Sequence, residues 1–221
     1  MTRKEKNVGN FLFRVGKPRV TETLSKHFTE RGTGQQGTGI YAYGSKSYAI
    51  QIAENRPIYK IDASKVKFFT PRNIIPQSFF VDGQKDFIRL STVMNAIALA
   101  KSFNDKKWYG RSIEDLMNDA ILIGSHFDFT EKQINEAINK TVKEVKSSDT
   151  TKASQPINHL LGVKGYGGVD PGKNLRDDNS VGIVVFRETF GIKSGEEENV
   201  KTRNEKEAKN TELNKFYHET S

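Results

Sequence analysis

Three consecutive stretches in the middle of the chain repeat their apolar residues with the period of a helix: residues 87–102, 112–123 and 131–145. Short segments rich in β-branched and aromatic residues flank them. Upstream lie Phe11-Leu12-Phe13-Arg14-Val15-Gly16, Ile40-Tyr41-Ala42-Tyr43, Pro57-Ile58-Tyr59-Lys60-Ile61-Asp62 and Val66-Lys67-Phe68-Phe69. Downstream, residues 165–170 read as a turn into a strand, and Val181-Gly182-Ile183-Val184-Val185-Phe186 is the strongest strand signal in the chain. Strands, then helices, then strands predict an α+β fold rather than regular βαβ alternation.

Local signals place the ends of several elements. Residues 20–31 have a helical pattern with Thr21 or Thr23 as N-cap. Ser45 opens a short helix over residues 46–53. Thr130 and Gln133 form a capping box, in which hydroxyl and amide each satisfy an unpaired backbone N–H. Pro156 suits the first turn of a last short helix over residues 156–161. Between these two helices, the polar residues 146–155 read as a surface loop.

The chain has 221 residues, a size for one domain with an appendage or an insertion. Hydrophobic residues make up 35%, which is low, and residues 193–221 account for part of the deficit. That tail holds six basic and seven acidic residues and only Val200, Ala208, Leu213, Phe216 and Tyr217 as apolar groups. Burial cannot offset its ordering entropy, so it is expected to be disordered or a lone solvated helix. With a net charge of +8 overall, residues 1–192 carry +9. Such an excess suits a polyanionic partner, nucleic acid first, or serves solubility alone.

The absence of cysteine excludes disulfides, thiol catalysis and Cys-based metal sites. His27, His126, His159 and His218 are scattered, so no metal site is expected; His27 and His159 read as surface or helix-end residues. No apolar run reaches the roughly 20 residues of a membrane span, and no apolar stretch follows the basic N-terminus. The expectation is a cytoplasmic chain with no membrane partner.

Gly32-x-Gly34-x-x-Gly37 matches the dinucleotide fingerprint as a string. That fingerprint works only between a strand and a following long helix, and here the order is helix, then strand. Thr38-Gly39 stand where a P-loop needs Lys-Ser/Thr, so NTPase chemistry is not expected. Two readings stay open for the segment: a flexible loop, or small residues that let a ligand approach the backbone. The next residues, Gly39-Ile40-Tyr41-Ala42-Tyr43-Gly44-Ser45-Lys46-Ser47-Tyr48-Ala49, put Tyr41 and Tyr43 on one strand face. Those rings either stack on a flat ligand or fill a half-buried surface. Residues 102–111, Ser-Phe-Asn-Asp-Lys-Lys-Trp-Tyr-Gly-Arg, mix basic and aromatic groups. The mixture suits nucleic acid, and its plainer reading is an amphipathic loop that buries Trp108.

The segment from Gly39 to Ala49 resembles the second motif of the ADP-ribosyltransferase fold, G-x-G-[IL]-Y-F followed by S-x-x-A on a helix. Leu12-Phe13-Arg14-Val15-Gly16 resembles the first motif, in which an Arg or His on the opening strand contacts the dinucleotide. Pro156-Ile157-Asn158-His159-Leu160-Leu161, Gly165-Tyr166-Gly167-Gly168-Val169-Asp170, Asp177-Asp178-Asn179 and Gly182-Ile183-Val184-Val185-Phe186 resemble the end of such domains in phage and mobile-element proteins. The pieces stand in the family's order and cover about a third of the chain.

The resemblance implies a split β-sheet core over residues 1–192, with a helical insertion at about 84–155. It implies NAD as substrate and a mono-ADP-ribosyltransferase that modifies a host macromolecule, protein or nucleic acid, in host takeover or anti-defence. Arg14 would anchor a ribose or phosphate. Gly39, Tyr41, Tyr43 and Tyr48 would line the nicotinamide site, and Ser45 would lie near the nicotinamide ribose or cap its helix. The family's third motif is usually a Glu near the last strands, and no Q-x-E or E-x-E precedes Ile183. Asp178 or Asp177 would take that role, with Asp170 and Glu188 the next acids. Gly167 stands where the related pattern has Asp. These departures imply the alternative, an inactive domain of the same fold that docks on a host protein complex or nucleic acid.

Overall fold

A computed structural model describes residues 11–16, 36–71, 83–147, 153–171 and 182–190. The elements are β1 (Phe11–Val15), β2 (Gly39–Ala42), α1 (Lys46–Ala53), β3 (Ile58–Asp62), β4 (Phe68–Phe69), α2 (Gly83–Ser102), β5 (Lys107–Trp108), β6 (Arg111–Ser112), α3 (Ile113–Ser125), α4 (Glu131–Ser147), α5 (Pro156–Val163), β7 (Gly168–Val169) and β8 (Ile183–Phe186). A 3₁₀ turn over Arg187–Phe190 follows β8. The fold is α+β, with the helices grouped between early and late strands as their periodicity requires. The expected helix over 20–31, the glycines at 32 and 34, Asp177, Asp178 and the tail 193–221 lie outside the described residues.

Strand order explains the layering. One sheet runs β2-β8-β7-β4, in which β4 and β7 are parallel and the other pairs antiparallel. A second pairs β1 with β3, Leu12 opposite Ile61 and Arg14 opposite Tyr59. Successive strand residues face opposite sides. Val184 and Phe186 therefore join Phe69 and Val169 on one face, against α2, α3, α4 and α5. Ile183 and Val185 join Ile40 and Ala42 on the other, where they meet Leu12 and Ile61 of the β1–β3 pair. Helix α1 covers the far side of that pair, Ala49 and Ala53 against Val15 and Ile58.

Phe69 ties the sheet to the helices. Its ring lies 5.2 Å from Phe87, 5.9 Å from Phe127 and 5.3 Å from Tyr166, centroid to centroid. Such pairs add about 0.5–1.5 kcal/mol each beyond area burial. The central helices thus share one continuous core with the sheet.

Ser45 and the Thr130–Gln133 box cap where the sequence places them, and Ser112, read inside its helix, is its N-cap. Tyr48 N–H donates to Ser45 Oγ at 3.2 Å, and Asp115 N–H to Ser112 Oγ at 3.0 Å. The Thr130–Gln133 box is reciprocal, at 3.0 and 3.3 Å. Two expectations are corrected. Ala153, Ser154 and Gln155, read as the end of a surface loop, are buried: α4 and the 3₁₀ turn hydrogen-bond Ser154, and Thr38, just before β2, hydrogen-bonds Gln155. Residues 107–111, within the segment 102–111 read as an amphipathic loop, form a hairpin with Ser112, which was read as helical.

Candidate functional site

The two sheets join at one point. Phe13 and Tyr43 exchange both backbone hydrogen bonds, each 2.8 Å, and pair at an isolated bridge. Residues two apart along a strand turn their N–H and C=O the same way. The Tyr41 carbonyl therefore faces β1 as the Tyr43 carbonyl does, but β1 has already diverged. Arg14 fills the fork: its Nη1 donates to the Tyr41 carbonyl at 2.9 Å.

This guanidinium is half-buried, and its Nε is buried with no partner among the described residues. Burial holds its pKa below the ordinary value; the nearby Tyr43 phenol opposes that shift and the Arg56 cation adds to it. Arg14 nonetheless stays protonated, as arginine does in proteins. Arg56 donates to the carbonyls of Ala53 and Ile52, at 3.2 and 2.8 Å. It closes the end of α1 without a carboxylate. Two guanidiniums lie near each other here, and neither is held by an acid among the described residues, so the fork is positively charged.

The tyrosines divide between two environments. Tyr43 and Tyr48 form an edge-to-face pair, centroids 5.2 Å apart at 66°, on the α1 side of the fork. Tyr41, two residues before Tyr43, packs on the helical core. Its hydroxyl donates to the Gly37 carbonyl at 3.0 Å and accepts from Gln36 N–H at 3.2 Å. Burial raises its phenol far above the ordinary range, so it stays neutral. The ring of Tyr41 is a wall of the core, whereas Tyr43 lies near Arg14 and carries Tyr48 against its ring. Ser45 caps α1 and shares a 2.9 Å hydrogen bond with Ser47 Oγ.

Gly39 is held by packing inside the protein. A methyl group there would collide with the Val185 carbonyl oxygen and lie 2.9 Å from Val184 Cγ2. At Gly37, φ is +119° and an added methyl would lie 2.6 Å from Phe186 Cε1. The small size of Gly37 and Gly39 admits the protein's own β8 and α5.

The adjoining polar cluster was not legible in the sequence. Asn158 of α5 grips Thr38 as a neighbouring strand would, accepting from its N–H and donating to its carbonyl, both at 2.7 Å. The same amide donates to Glu188 Oε2 at 3.1 Å, and Ser154 Oγ bonds Glu188 Oε1. Glu188, an acid near the last strand, therefore orders the entry to β2. Tyr59, directly across from Arg14, was also not singled out, because register is a tertiary property.

His159, read as a surface or helix-end residue, is buried within α5, and its Nε2 lies 3.0 Å from Glu144 Oε1. The imidazole and the carboxyl are in direct polar contact, and the pair is ionic only when the imidazole is protonated. Burial pushes the Glu144 pKa up. His159, the Ser154 N–H and Lys140 more than offset that, and the carboxyl titrates below its ordinary 4.5. A carboxyl more acidic in the folded than in the unfolded chain stabilises at neutral pH, and that contribution is lost as pH falls below about 4.5. Glu144→Gln is expected to lower stability at pH 7 by about 1–3 kcal/mol. It should also flatten the acid limb of Tm against pH between 3 and 6, and parallel limbs would refute this role.

Comparison of the chain with family models, with curated proteins and with solved structures gave no match. Among the described residues, no helix is long and apolar enough to cross a membrane.

Proposed function

We propose that the fork holds the phosphates of NAD and that the chain is a mono-ADP-ribosyltransferase acting on a host macromolecule. The observation that carries this reading is Arg14: a half-buried guanidinium at a strand divergence, bonded to one carbonyl and to no carboxylate among the described residues. Guanidinium donors match phosphate oxygens in pairs, and partial burial strengthens that attraction. Tyr43 and Tyr48, already paired at the edge of the fork, present aromatic surface for a flat ring.

Cleavage of the nicotinamide–ribose bond develops positive charge on the ribose. A carboxylate beside it lowers the barrier by stabilising that charge more than the ground state. Asp178, or Asp177, is the acid assigned to this step; both lie outside the described residues. The nicotinamide leaves with the bonding electrons, and an acceptor oxygen, nitrogen or water of the target attacks the ribose carbon and loses its proton.

The test is incubation of the purified chain with NAD labelled in its adenylate and a bacterial lysate. Transfer of label to one macromolecule with release of nicotinamide is expected. No NAD binding and no nicotinamide release would overturn the proposal. One observation favours a second reading, a binding domain without turnover: both oxygens of Glu188 are engaged, by Ser154 and Asn158, in holding Thr38. NAD binding without nicotinamide release would decide for it.

A further inference from the structure

The hairpin β5–β6 projects an aromatic ring where local energetics oppose one. Its two turn residues, Tyr109 and Gly110, have φ of +45° and +80°. Consecutive positive φ values mark the two-residue hairpin turn that favours Asn-Gly or Asp-Gly. A bulky side chain in that region is strained. Tyr109 is nevertheless 72% exposed, so burial does not compensate for the strain. Its ring leans edge-to-face on Trp108, centroids 5.4 Å apart at 90°.

Trp108 anchors the hairpin from below. It packs against Leu99 of α2, Val145 of α4 and Ala153. The exposed ring is thereby held on a rigid base rather than on a loose loop. The plainer sequence reading, an amphipathic loop that buries Trp108, holds only in part, since Trp108 is half-buried on a hairpin, and it leaves Tyr109 unexplained.

The segment 101–111 is itself basic, and the acids Glu114, Asp115 and Asp119 follow it on α3. Lys106 and Lys107 are exposed and pair with no acid among the described residues. Arg111 is engaged by Asp119 at 2.9 Å, and the Asp115 carboxylate accepts from Ser112 Oγ at 2.6 Å. Asp105 is the one acid within residues 101–111, against four basic residues. Phe103, 49% exposed, adds a second ring just beyond α2.

We infer that this hairpin is a docking site for single-stranded nucleic acid. An unstacked base lies on the Tyr109 ring, and Lys106 and Lys107 meet the adjoining phosphates. A paired helix offers no free base face to a ring on a projecting turn, so single strands are preferred over duplex. Stacking and phosphate contact together explain why the turn carries an exposed tyrosine between cations. The inference does not depend on NAD chemistry at the fork.

The experiment is fluorescence anisotropy of the full chain with labelled dT20, rU20 and a 20-base-pair duplex at 50 and 200 mM salt. Binding of at least one single strand is expected, tighter than the duplex and weakened by salt. Tyr109→Phe should bind as the native chain does. Tyr109→Ala should bind about tenfold more weakly. Tyr109→Asn separates function from folding: it suits the turn, so Tm should stay or rise while affinity falls about tenfold. No binding at 50 mM salt, equal affinity for duplex, equal affinity for polyglutamate, or unchanged affinity in Tyr109→Asn would each overturn the inference.

Discussion

Gly39→Ala is expected to destabilise the protein by at least about 3 kcal/mol, enough to leave a large fraction unfolded in a marginally stable domain. Gly39 opens β2 directly opposite Phe186, and the added methyl would meet the Val185 carbonyl, a backbone atom that cannot rotate away. Relief requires β8 to move. That strand carries Val184 and Phe186 into the helical core and Val185 into the core between the sheets. Both cores would loosen together. Urea unfolding followed by tryptophan fluorescence and by circular dichroism measures the loss. A variant within 1 kcal/mol of the native chain would show that β2 and β8 are not so close. Gly44→Ala is the control, since its methyl would meet only Ile183 Cδ1, at 3.4 Å.

Arg14→Ala is expected to weaken NAD binding about a hundredfold, or roughly 3 kcal/mol, by leaving the phosphates without their buried charge partner. Stability should move the other way or not at all. The native chain holds a half-buried cation whose Nε has no partner among the described residues, and whose charge burial disfavours. Removing it forfeits one hydrogen bond to the Tyr41 carbonyl and relieves that desolvation. The two changes are of similar size, so Tm should stay or rise. Loss of function without loss of stability is the signature of a residue kept for its ligand. Arg14→Lys keeps the charge but not the planar pair of donors, and should recover only part of the affinity. Isothermal titration with NAD beside thermal melts of the three proteins separates these outcomes. Undiminished NAD affinity in Arg14→Ala would remove the fork from the mechanism. A fall of several kcal/mol in stability would make Arg14 a structural residue.

What was legible in the sequence is what neighbours along the chain decide. Ser45 caps α1, Thr130 and Gln133 form their box, and Pro156 begins α5, because each motif closes within four residues. Alternation over Ile183–Phe186 fed two cores, as period two requires of a strand covered on both faces. The α+β order followed from those local signals.

The site is different in kind. Whether Arg14 lies in a fork depends on where β1 leaves β2, and its partner Tyr41 is 27 residues away. Asn158 reaches Thr38 across 120 residues, and His159 meets Glu144 only because α4 and α5 pack together. The hairpin at 107–112 escaped notice because two-residue strands carry no periodicity and tyrosine is a poor signal for its turn. Local propensity and pattern determined the elements and their order. Register, sheet divergence and long-range polar pairing, which arise only when distant segments share a core, decided which of the residues became a site.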